Sequence, residues 1–436
     1  MGGGHIQLIT LGAQDIYIIG NPQISFFKSV YRRHTNFSME CIEVINNNSI
    51  NTNETTLNYS VSRHGDLLYK CHLEIDFPQQ QGLAPFVPGG GQYIAYNHNT
   101  AHSYVKQIDF EIGNKLIDRH YGLWYDIRNA LWDKENQERH LINKHHEKNT
   151  YLLDNNTNIL KSLKVFCPFH FWFCEESGQA LPLIALQYHQ VDFKITYRGI
   201  KDIINSTEAI GAINMNIPNI KLWCNYIYLD TDERRKFAQV SHEYLIEQLQ
   251  FQEDSFTSNI QLNLNHPVKG LYWVIRNNTA ITSSNNNINA LLNVQTEINE
   301  YTQHNDYLNY SRARRAVNER NEIRMCNNDF QEHFDKGKII LNGIDRFNEQ
   351  SATYFRLIEP YNSGNNVQQK KLIYMYSFAL KPLDYQPSGM CNFSRIDSAY
   401  LNFTGNLSPG YTISVFAINY NVLRIMSGMG GLLFSN

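Results

Sequence analysis

The sequence predicts an all-β protein with two antiparallel sandwich domains, and three observations support this prediction. The chain has 436 residues, whereas single cores stop growing near roughly 250 to 300 residues, so two large domains are expected. Apolar and polar residues alternate with a period of two, which is typical of antiparallel sheets with one buried face. Hydrophobic residues make up 42% of the chain and charged residues 18%, so apolar material suffices for two cores.

Two segments show the alternation most clearly. In residues 105–118 (VKQIDFEIGNKLID), one face carries Ile108, Phe110 and Ile112, and Gly113-Asn114 predicts a two-residue hairpin turn. In residues 188–198 (YHQVDFKITYR), the inward positions are Val191, Phe193, Ile195 and Tyr197, and the outward positions are Asp192, Lys194 and Arg198. Both segments are predicted to be strands.

One segment departs from this pattern. In residues 120–143, Leu123, Ile127 and Leu131 recur every four residues, which predicts a helix packed across an end of a sheet. The polar loops between strands are long, notably 46–58, 81–92 and 283–289, and loops of this length are usually exposed or functional.

The polar run DTDERRK at 230–236 predicts the boundary between the two domains. Asp230 or Asp232 is expected to cap a short connecting helix, since a carboxylate accepts hydrogen bonds from the free amides of a first turn. We therefore divide the chain into an N-terminal segment (1–36), a first domain (37–238) and a second domain (239–436). Each half has the size of an elaborated eight-stranded sandwich.

Each half also ends with two successive strands that are predicted to pair. They are residues 187–198 with 221–229 in the first half, and residues 398–405 with 411–425 in the second. No sequence repeat is readable between the halves, so a shared topology is only a hypothesis at this point.

Composition excludes several classes of function. The formal net charge of −3 provides no general basic field, so direct nucleic acid binding is not expected as the main task. The seven cysteines are scattered, odd in number and form no CxxC pair, which favours a reducing compartment. The N-terminal residues lack the pattern of a secretory signal and no window approaches 18 uncharged apolar residues, so synthesis in the cytoplasm is expected.

Residues 12–40 (GAQDIYIIGNPQISFFKSVYRRHTNFSME) combine large aromatic side chains with cationic ones. This is the composition of an interface hot spot, and no catalytic arrangement is visible in it. The candidate assembly contacts are Phe26, Phe27, Tyr31, Arg32 and Arg33.

Within this segment, GNPQISFFKSVYRRHTNF (20–37) closely resembles the N-terminal signature of the major capsid proteins of nucleocytoplasmic large DNA viruses, of the chlorovirus, iridovirus and phycodnavirus type. The resemblance recurs in order along nearly the whole chain, at 167–191, 229–250, 376–397 and 419–436. The loops at 46–60 and 275–325 carry none of it.

The resemblance implies a double jelly roll, that is, two tandem eight-stranded antiparallel jelly rolls with short helices in loops. It further implies a structural protein of the virion and not an enzyme, without cofactors, that forms pseudo-hexagonal homotrimeric capsomers of an icosahedral shell. Residues 1–36 would lie at the base of the capsomer. The implied partners are further copies of the chain, minor capsid proteins and an internal viral membrane, with glycans on outward loops.

Some residues suggest chemistry when considered alone. Asp109 and Glu111 lie two apart on one strand face, with carboxylates roughly 7 Å apart and within the range that glycosidases use. The simpler interpretation is the solvent-facing side of a sheet. No catalytic residues are assigned.

A metal site is a second alternative, from Cys167, His170 and Cys174 in CPFHFWFC, with further imidazoles at His140, His145 and His146. Neither group has the spacing of a zinc finger or metalloprotease. We predict instead one strand whose buried side carries Cys167, Phe169, Phe171 and Phe173, with the thiols as small hydrophobic groups. No metal or cofactor site is assigned.

Two further motifs receive structural interpretations. Glu319 and Glu322 partly offset the positive charge of the arginines in SRARRAVNER (311–320). This favours a solvated or subunit-bridging loop over a surface that binds the phosphates of a nucleic acid. The glycines of GMGG (428–431) lack the Lys-Ser/Thr pair of a phosphate loop and predict a tight bend.

Two other functions remain open on sequence grounds. One is a transient membrane-lining scaffold lattice protein of the same fold. The other, less favoured, is a carbohydrate-binding or carbohydrate-cleaving jelly roll.

Overall fold

The computed structural model describes residues 3–46, 49–81, 94–97, 99–133, 138, 141–142, 153–154, 157–160, 162–206, 215–277, 307–308, 310, 315–317, 323–325, 332–367, 371–405, 407 and 410–434. The chain separates into two compact units, Met1–Phe37 and Ser38–Asn436. The first unit, which we call the arm, contains helices Gly3–Ile9 and Ile16–Ile19. The second unit contains two sandwiches.

The first sandwich has eight principal strands. They are β1 (Phe37–Val44), β2 (Thr55–Val61), β3 (Leu67–Phe77), β4 (Val105–Ile112), β5 (Lys115–Tyr121), β6 (Leu163–Pro168), β7 (Val191–Tyr197) and β8 (Asn219–Leu229). One sheet has the order β1-β8-β3-β6 and the other β2-β7-β4-β5.

The second sandwich repeats this arrangement. Its strands are β9 (His242–Ser255), β10 (Asn259–Gln261), β11 (Pro267–Asn277), β12 (Lys336–Leu341), β13 (Ile344–Asp345), β14 (Ile373–Ser377), β15 (Ala399–Thr404) and β16 (Tyr411–Met426). The sheets have the orders β9-β16-β11-β14 and β10-β15-β12-β13, which match the first sandwich strand for strand. The chain is therefore a double jelly roll, as predicted, and the two halves share one topology.

The predicted pairing of the last two strands in each half is wrong. Strand β7 pairs with β2 and β4, while β8 pairs with β3 in the opposite sheet. Strands β15 and β16 are divided in the same way. In this topology the chain crosses from one sheet to the other between its last two strands, so neighbours in sequence lie in different layers.

Helices and short strands fill the connections. Among the described residues, the longest helices are α1 (Gly122–Trp132) and α2 (Thr231–Gln239). Shorter helical segments are Thr100–Tyr104, Trp172–Glu175, Ser177–Gln179, Leu183–Ala185, Ile200–Ile203, Tyr354–Ile358, Glu359–Asn362 and Phe393–Arg395. Short strands are Gln80–Gln81, Ile94–Tyr96, Leu153–Asp154, Thr157–Leu160, Leu181–Pro182, Ile204–Ser206, Arg315–Val317, Ile323–Met325, Gln350–Ser351, Cys391–Asn392 and Met429–Leu432.

Several local predictions are confirmed. Gly113 and Asn114 have φ angles of +60° and +61°, as a two-residue turn with two left-handed residues requires. The inward residues of β4 and β7 are all buried. The predicted helix is α1. Asp230 caps α2, since its side chain accepts a hydrogen bond from the amide of Thr231 at 2.8 Å.

A repeat that the sequence did not reveal follows β6 and β14. In the first sandwich, Leu181–Pro182 pairs with the start of β3 and a 3-10 turn, Leu183–Ala185, follows. In the second, Cys391–Asn392 pairs with the start of β11 and the turn Phe393–Arg395 follows. The two sequences, SGQALPLIA (177–185) and SGMCNFSRI (388–396), share little beyond Ser-Gly, which explains why the repeat was missed.

The two sandwiches share one continuous hydrophobic core. Helix α1 contributes Trp124, whose ring lies 5.4 Å from those of both Tyr272 and Phe416 in the second sandwich. Tyr121 at the end of β5 lies 4.5 Å from Phe251 of β9. Because aromatic pairs at these distances add to the burial of their surface, the two sandwiches form one packed body.

Candidate assembly surface

The arm leaves much apolar surface uncovered. Among its described residues, fourteen large hydrophobic side chains are exposed: Ile6, Leu8, Ile9, Leu11, Ile16, Tyr17, Ile18, Ile19, Ile24, Phe26, Phe27, Val30, Tyr31 and Phe37. Soluble monomers rarely expose contiguous apolar patches beyond a few hundred Å². Apolar surface on this scale favours contact with another surface.

The five candidate contact residues all lie on this exposed segment. Phe26, Phe27 and Tyr31 are 86%, 99% and 90% exposed, and Arg32 and Arg33 are exposed as well. Their aromatic rings and guanidinium groups are therefore free to reach a partner. The sequence prediction overlooked the neighbouring run Ile16–Ile19, which is equally exposed and is recognisable as four consecutive apolar residues.

Backbone hydrogen bonds show that the connections between strands gather at two ends of the first sandwich. At one end, the backbone amide of Ile200 donates to the carbonyl of Thr52, that of Arg198 to Tyr104, and that of Asn97 to Ile203. We call this the loop end. Described residues of the connections that follow β1, β3 and β7 meet here.

At the opposite end, which we call the turn end, the backbone amide of Gly113 donates to the carbonyl of Gln190, and that of Ile184 donates to Asp66. This end collects the connections 62–66, 113–114 and 169–190. The second sandwich has the same orientation. At the loop ends, the Tyr307 ring of the connection after β11 lies 4.3 Å from the guanidinium of Arg198, and at the turn ends the amide of Tyr188 donates to the carbonyl of Gly428.

The turn end is rich in exposed apolar side chains. They are Leu116, Tyr188, Ile344, Leu380, Tyr385, Met390, Met426 and Met429. The tight bend predicted at 428–431 lies here and is confirmed, since Ser427 and Gly428 have φ angles of +53° and +79° between β16 and Met429–Leu432. The turn end therefore carries several exposed apolar side chains that a partner could cover.

Asp109 and Glu111 are not solvent-facing, contrary to the sequence interpretation. They are 9% and 8% exposed because long side chains from adjacent strands cover them. Arg119 binds both oxygens of Asp109 at 2.7 and 2.9 Å, and Lys194 donates to Glu111 at 2.7 Å. The hydrogen bond to Asp109 raises the pKa of Arg119. Both carboxylates are neutralised structural ion pairs rather than an acid and base pair.

The predicted strand through CPFHFWFC is wrong in its extent. Strand β6 ends at Pro168 and residues Trp172–Glu175 form a helical turn, so the alternation does not continue. Burial was nevertheless predicted correctly, because Cys167, Phe169, Phe171 and Phe173 are all in the core. The described cysteines, a set from which Cys326 is missing, are all free thiols.

His170 contacts carboxylates and not cysteines. Its ring nitrogens lie 3.0 Å from Glu175 and 3.3 Å from Glu138. The part of the chain that the structure describes holds no group of three or more His, Cys, Asp or Glu side chains placed to bind a metal. In the same part, no helix is long and apolar enough to span a membrane.

Several sequence predictions fall outside the described residues. They concern His140, His145 and His146, most of the loops at 81–92 and 283–289, and the side chains of the arginine run at 311–320.

Two jelly rolls with one continuous core and an exposed apolar arm favour a structural role that depends on contacts with other molecules. Comparisons with known proteins specify the class. A family described as "Major capsid protein N-terminus" matches residues 25–230, and one described as "Large eukaryotic DNA virus major capsid protein" matches residues 233–431.

Individual relatives agree along the whole chain. The chain is 38% identical over 465 residues to the major capsid protein of Pyramimonas orientalis virus, and 36% identical over 471 residues to that of Paramecium bursaria Chlorella virus 1. Both matches cover 100% of each chain. Among solved structures, the PBCV-1 virus capsid matches with a TM-score of 0.71 and 33% identity, covering 94% of this chain and 100% of that one.

The chain belongs to the family of major capsid proteins of large eukaryotic DNA viruses. It is therefore a structural protein of the virion shell and not an enzyme.

Proposed function

We propose that three copies of this chain form a pseudo-hexagonal capsomer of an icosahedral shell, with the loop end outward and the turn end inward. The observation that carries this proposal is the common orientation of the two jelly rolls, which are tied to each other at both ends. Three copies would place six similar sandwiches around a threefold axis. Because six similar sandwiches surround the axis of this closed cyclic assembly, its outline is almost hexagonal and such units can tile a surface.

The two ends differ in the surface that they offer to partners. Exposed apolar side chains at the turn end suit contact with minor capsid proteins or with an internal membrane, because burying them is favourable. Long connections at the loop end suit contact with solvent and provide positions for glycans. No direct binding of nucleic acid belongs to this proposal, given the net charge of −3.

The arm supplies the contacts between copies in this proposal. Phe26, Phe27 and Tyr31 would fill pockets on a neighbouring subunit, and Arg32 and Arg33 would pair with its carboxylates. The division into an N-terminal segment (1–36) and two jelly-roll domains (37–238 and 239–436) belongs to the same proposal. Its support is the switch between the two family matches at residues 230 to 233.

Sedimentation of the purified protein tests the assembly state. We expect a species of about three times 50.7 kDa that persists on dilution, because obligate interfaces are large and apolar. Negative-stain microscopy should show three-lobed or hexagonal particles. A strictly monomeric species at micromolar concentration contradicts the proposal.

A further inference from the structure

A cleft of about 160 Å³ separates the two sandwiches near the turn end. Its wall in the first sandwich includes Arg128, His170 and Glu175, and its wall in the second includes Glu247 and Lys269. Charged side chains therefore line both walls of this cleft.

His170 is the titratable group at the centre of this network. Its side chain is almost completely buried, Nδ1 lies 3.0 Å from Oε1 of Glu175, and Nε2 lies 3.3 Å from Oε1 of Glu138. Nδ1 forms a hydrogen bond with Glu175, whereas the contact of Nε2 with Glu138 is an ion pair without hydrogen-bond geometry. Two carboxylates that flank one imidazole favour its protonated form.

The other charged groups around His170 come from several elements. From α1, Arg128 pairs with Glu175 at 2.8 Å, and the Tyr125 ring presents its edge to the imidazole at 5.2 Å. From β5, His120 pairs with Asp118 at 3.1 Å. From the second sandwich, Lys269 pairs with Glu247.

Within the directly paired set of Arg128, His170, Glu138 and Glu175, the charges balance only when the imidazole ring is protonated. Arg128 and His170 then offset Glu138 and Glu175, while Lys269 offsets Glu247. Loss of the proton to solvent leaves one unbalanced negative charge, with Glu138 and Glu175 facing each other across a neutral ring.

We propose that protonated His170 is a pH-sensitive clamp between the two jelly rolls, and that its deprotonation in alkaline solution loosens their interface. The link to the second sandwich is the turn Trp172–Glu175, which packs against β9. Gln179, just beyond this turn, donates to the carbonyl oxygen of Leu245 in β9. Repulsion between Glu138 and Glu175 would displace the turn and remove this packing.

The direction of the His170 pKa agrees with the geometry. Burial alone would lower this pKa, and Arg128 lowers it further, but Glu138 and Glu175 raise it above the ordinary value of 6.5. Stability that depends on a raised pKa is complete below the unfolded value and is lost as pH rises through the folded value. The clamp should hold below pH 6.5 and fail progressively above it.

Hydrogen exchange measured by mass spectrometry on the full chain tests the clamp. After correction for intrinsic rates, peptides covering 167–179 and 242–250 should show an opening constant that rises by up to about tenfold per pH unit above neutrality. His170→Gln should remove this pH dependence. Glu138→Gln should reduce it as well, because a neutral imidazole can accept a hydrogen bond from the new amide.

His64→Gln is the matched control, since His64 is exposed and should keep the wild-type profile. Wild-type exchange that is flat across this range overturns the proposal. So does an alkaline rise that His170→Gln leaves unchanged. These peptides report on contacts within one subunit, so the outcome is independent of whether the capsomer is a trimer.

Discussion

The ammonium group of Lys371 donates hydrogen bonds to both carboxylate oxygens of Asp126, at 2.6 and 2.9 Å. Asp126 lies on α1 and is 0% exposed, whereas Lys371 belongs to the second sandwich. Tyr310, also in the second sandwich, donates to the same carboxylate at 2.6 Å. A buried carboxylate is tolerated only when it is paired, so this contact exists only when the two jelly rolls are joined correctly.

Replacing Asp126 with Asn should destabilise the protein by about 3 kcal/mol, since it leaves a poorly solvated ammonium without its counterion. Asn keeps the shape of Asp and still accepts from Tyr310, but its amide nitrogen then faces the Asn99 amide that donates to Asp126 at 2.9 Å. The loss therefore reflects charge and one hydrogen bond rather than packing. Urea unfolding measures the change.

Asp345→Asn makes the matched comparison, because it breaks an Asp–Lys pair with Lys338 in which the carboxylate is about half exposed. This control should cost less than about 1 kcal/mol. Equal losses at the two positions would show that Asp126 does not join the sandwiches.

Gly428 occupies a backbone conformation that other residues resist, and it also lies against an aromatic ring. Its φ angle is +79°, and a Cβ atom there would lie 2.6 Å from Cδ2 of Tyr188. Gly343 has the same φ angle, but a Cβ atom there would meet nothing within 4 Å. The two glycines therefore separate backbone strain from steric contact.

We expect Gly343→Ala to cost about 1 kcal/mol from the left-handed conformation alone. Gly428→Ala should cost about 1 kcal/mol more, since the ring must move away. In a Tyr188→Ala background, Gly428→Ala should cost no more than Gly343→Ala. Thermal unfolding of the four variants gives the values. If Gly428→Ala still costs more than Gly343→Ala after Tyr188 is removed, the extra destabilisation does not come from contact with the ring.

Replacing Phe26 and Phe27 with Ser should weaken assembly while leaving the fold intact. Both rings are almost fully exposed in the single chain, so they contribute little to its stability. If they are hot-spot anchors, each is worth about 2 kcal/mol or more in the assembled state, which is roughly 30-fold in affinity. Sedimentation against concentration measures assembly.

Tyr361→Ser is the control for the arm variant, because it removes an exposed aromatic side chain outside the arm and should leave assembly unchanged. If the Phe26 and Phe27 double variant assembles like the wild type, the arm does not contribute to the interface.

Local patterns in the sequence predicted the parts of the fold that depend on neighbouring residues. The alternation of Ile108, Phe110 and Ile112 and the cap at Asp230 need information from only a few positions. The burial of Asp109 was missed because it depends on Arg119, which the hairpin brings opposite in the adjacent strand. The environment of His170 was missed because Glu138 lies far away in sequence, in a different connection.

The arm shows a different limit of sequence reasoning. Composition marked its aromatic residues as candidate contacts, and the single chain leaves them exposed. In our proposal, the surface that covers them belongs to another molecule. Which pockets receive Phe26 or Tyr31 is therefore information that no single chain contains. The prediction that the last two strands of each half pair was wrong for a related reason. Strand order in a sheet depends on the topology of the fold and not on adjacency in sequence.

The carboxylates around His170 also predict a loss of stability in acid. Burial alone would raise the pKa of Glu175, but Arg128 and His170 lower it to about 2. Glu138 likewise has a lowered pKa: burial opposes the shift, and His170 and Arg128 cause it. A depressed pKa contributes stability that is complete above the unfolded value of 4.5 and is lost as pH falls through the folded value.

We therefore expect the melting temperature of the wild type to fall between pH 4.5 and about pH 2, and Glu175→Gln to flatten this part of the profile. Glu54→Gln, which removes a carboxylate from a surface pair with Lys106, should leave the slope unchanged. Equal slopes in the wild type and Glu175→Gln would show that Glu175 does not cause the loss of stability in acid. If both the acid and the alkaline loss depend on this one cluster, the joint between the jelly rolls is firmest from pH 4.5 to 6.5, where His170 is protonated and both glutamates are ionised.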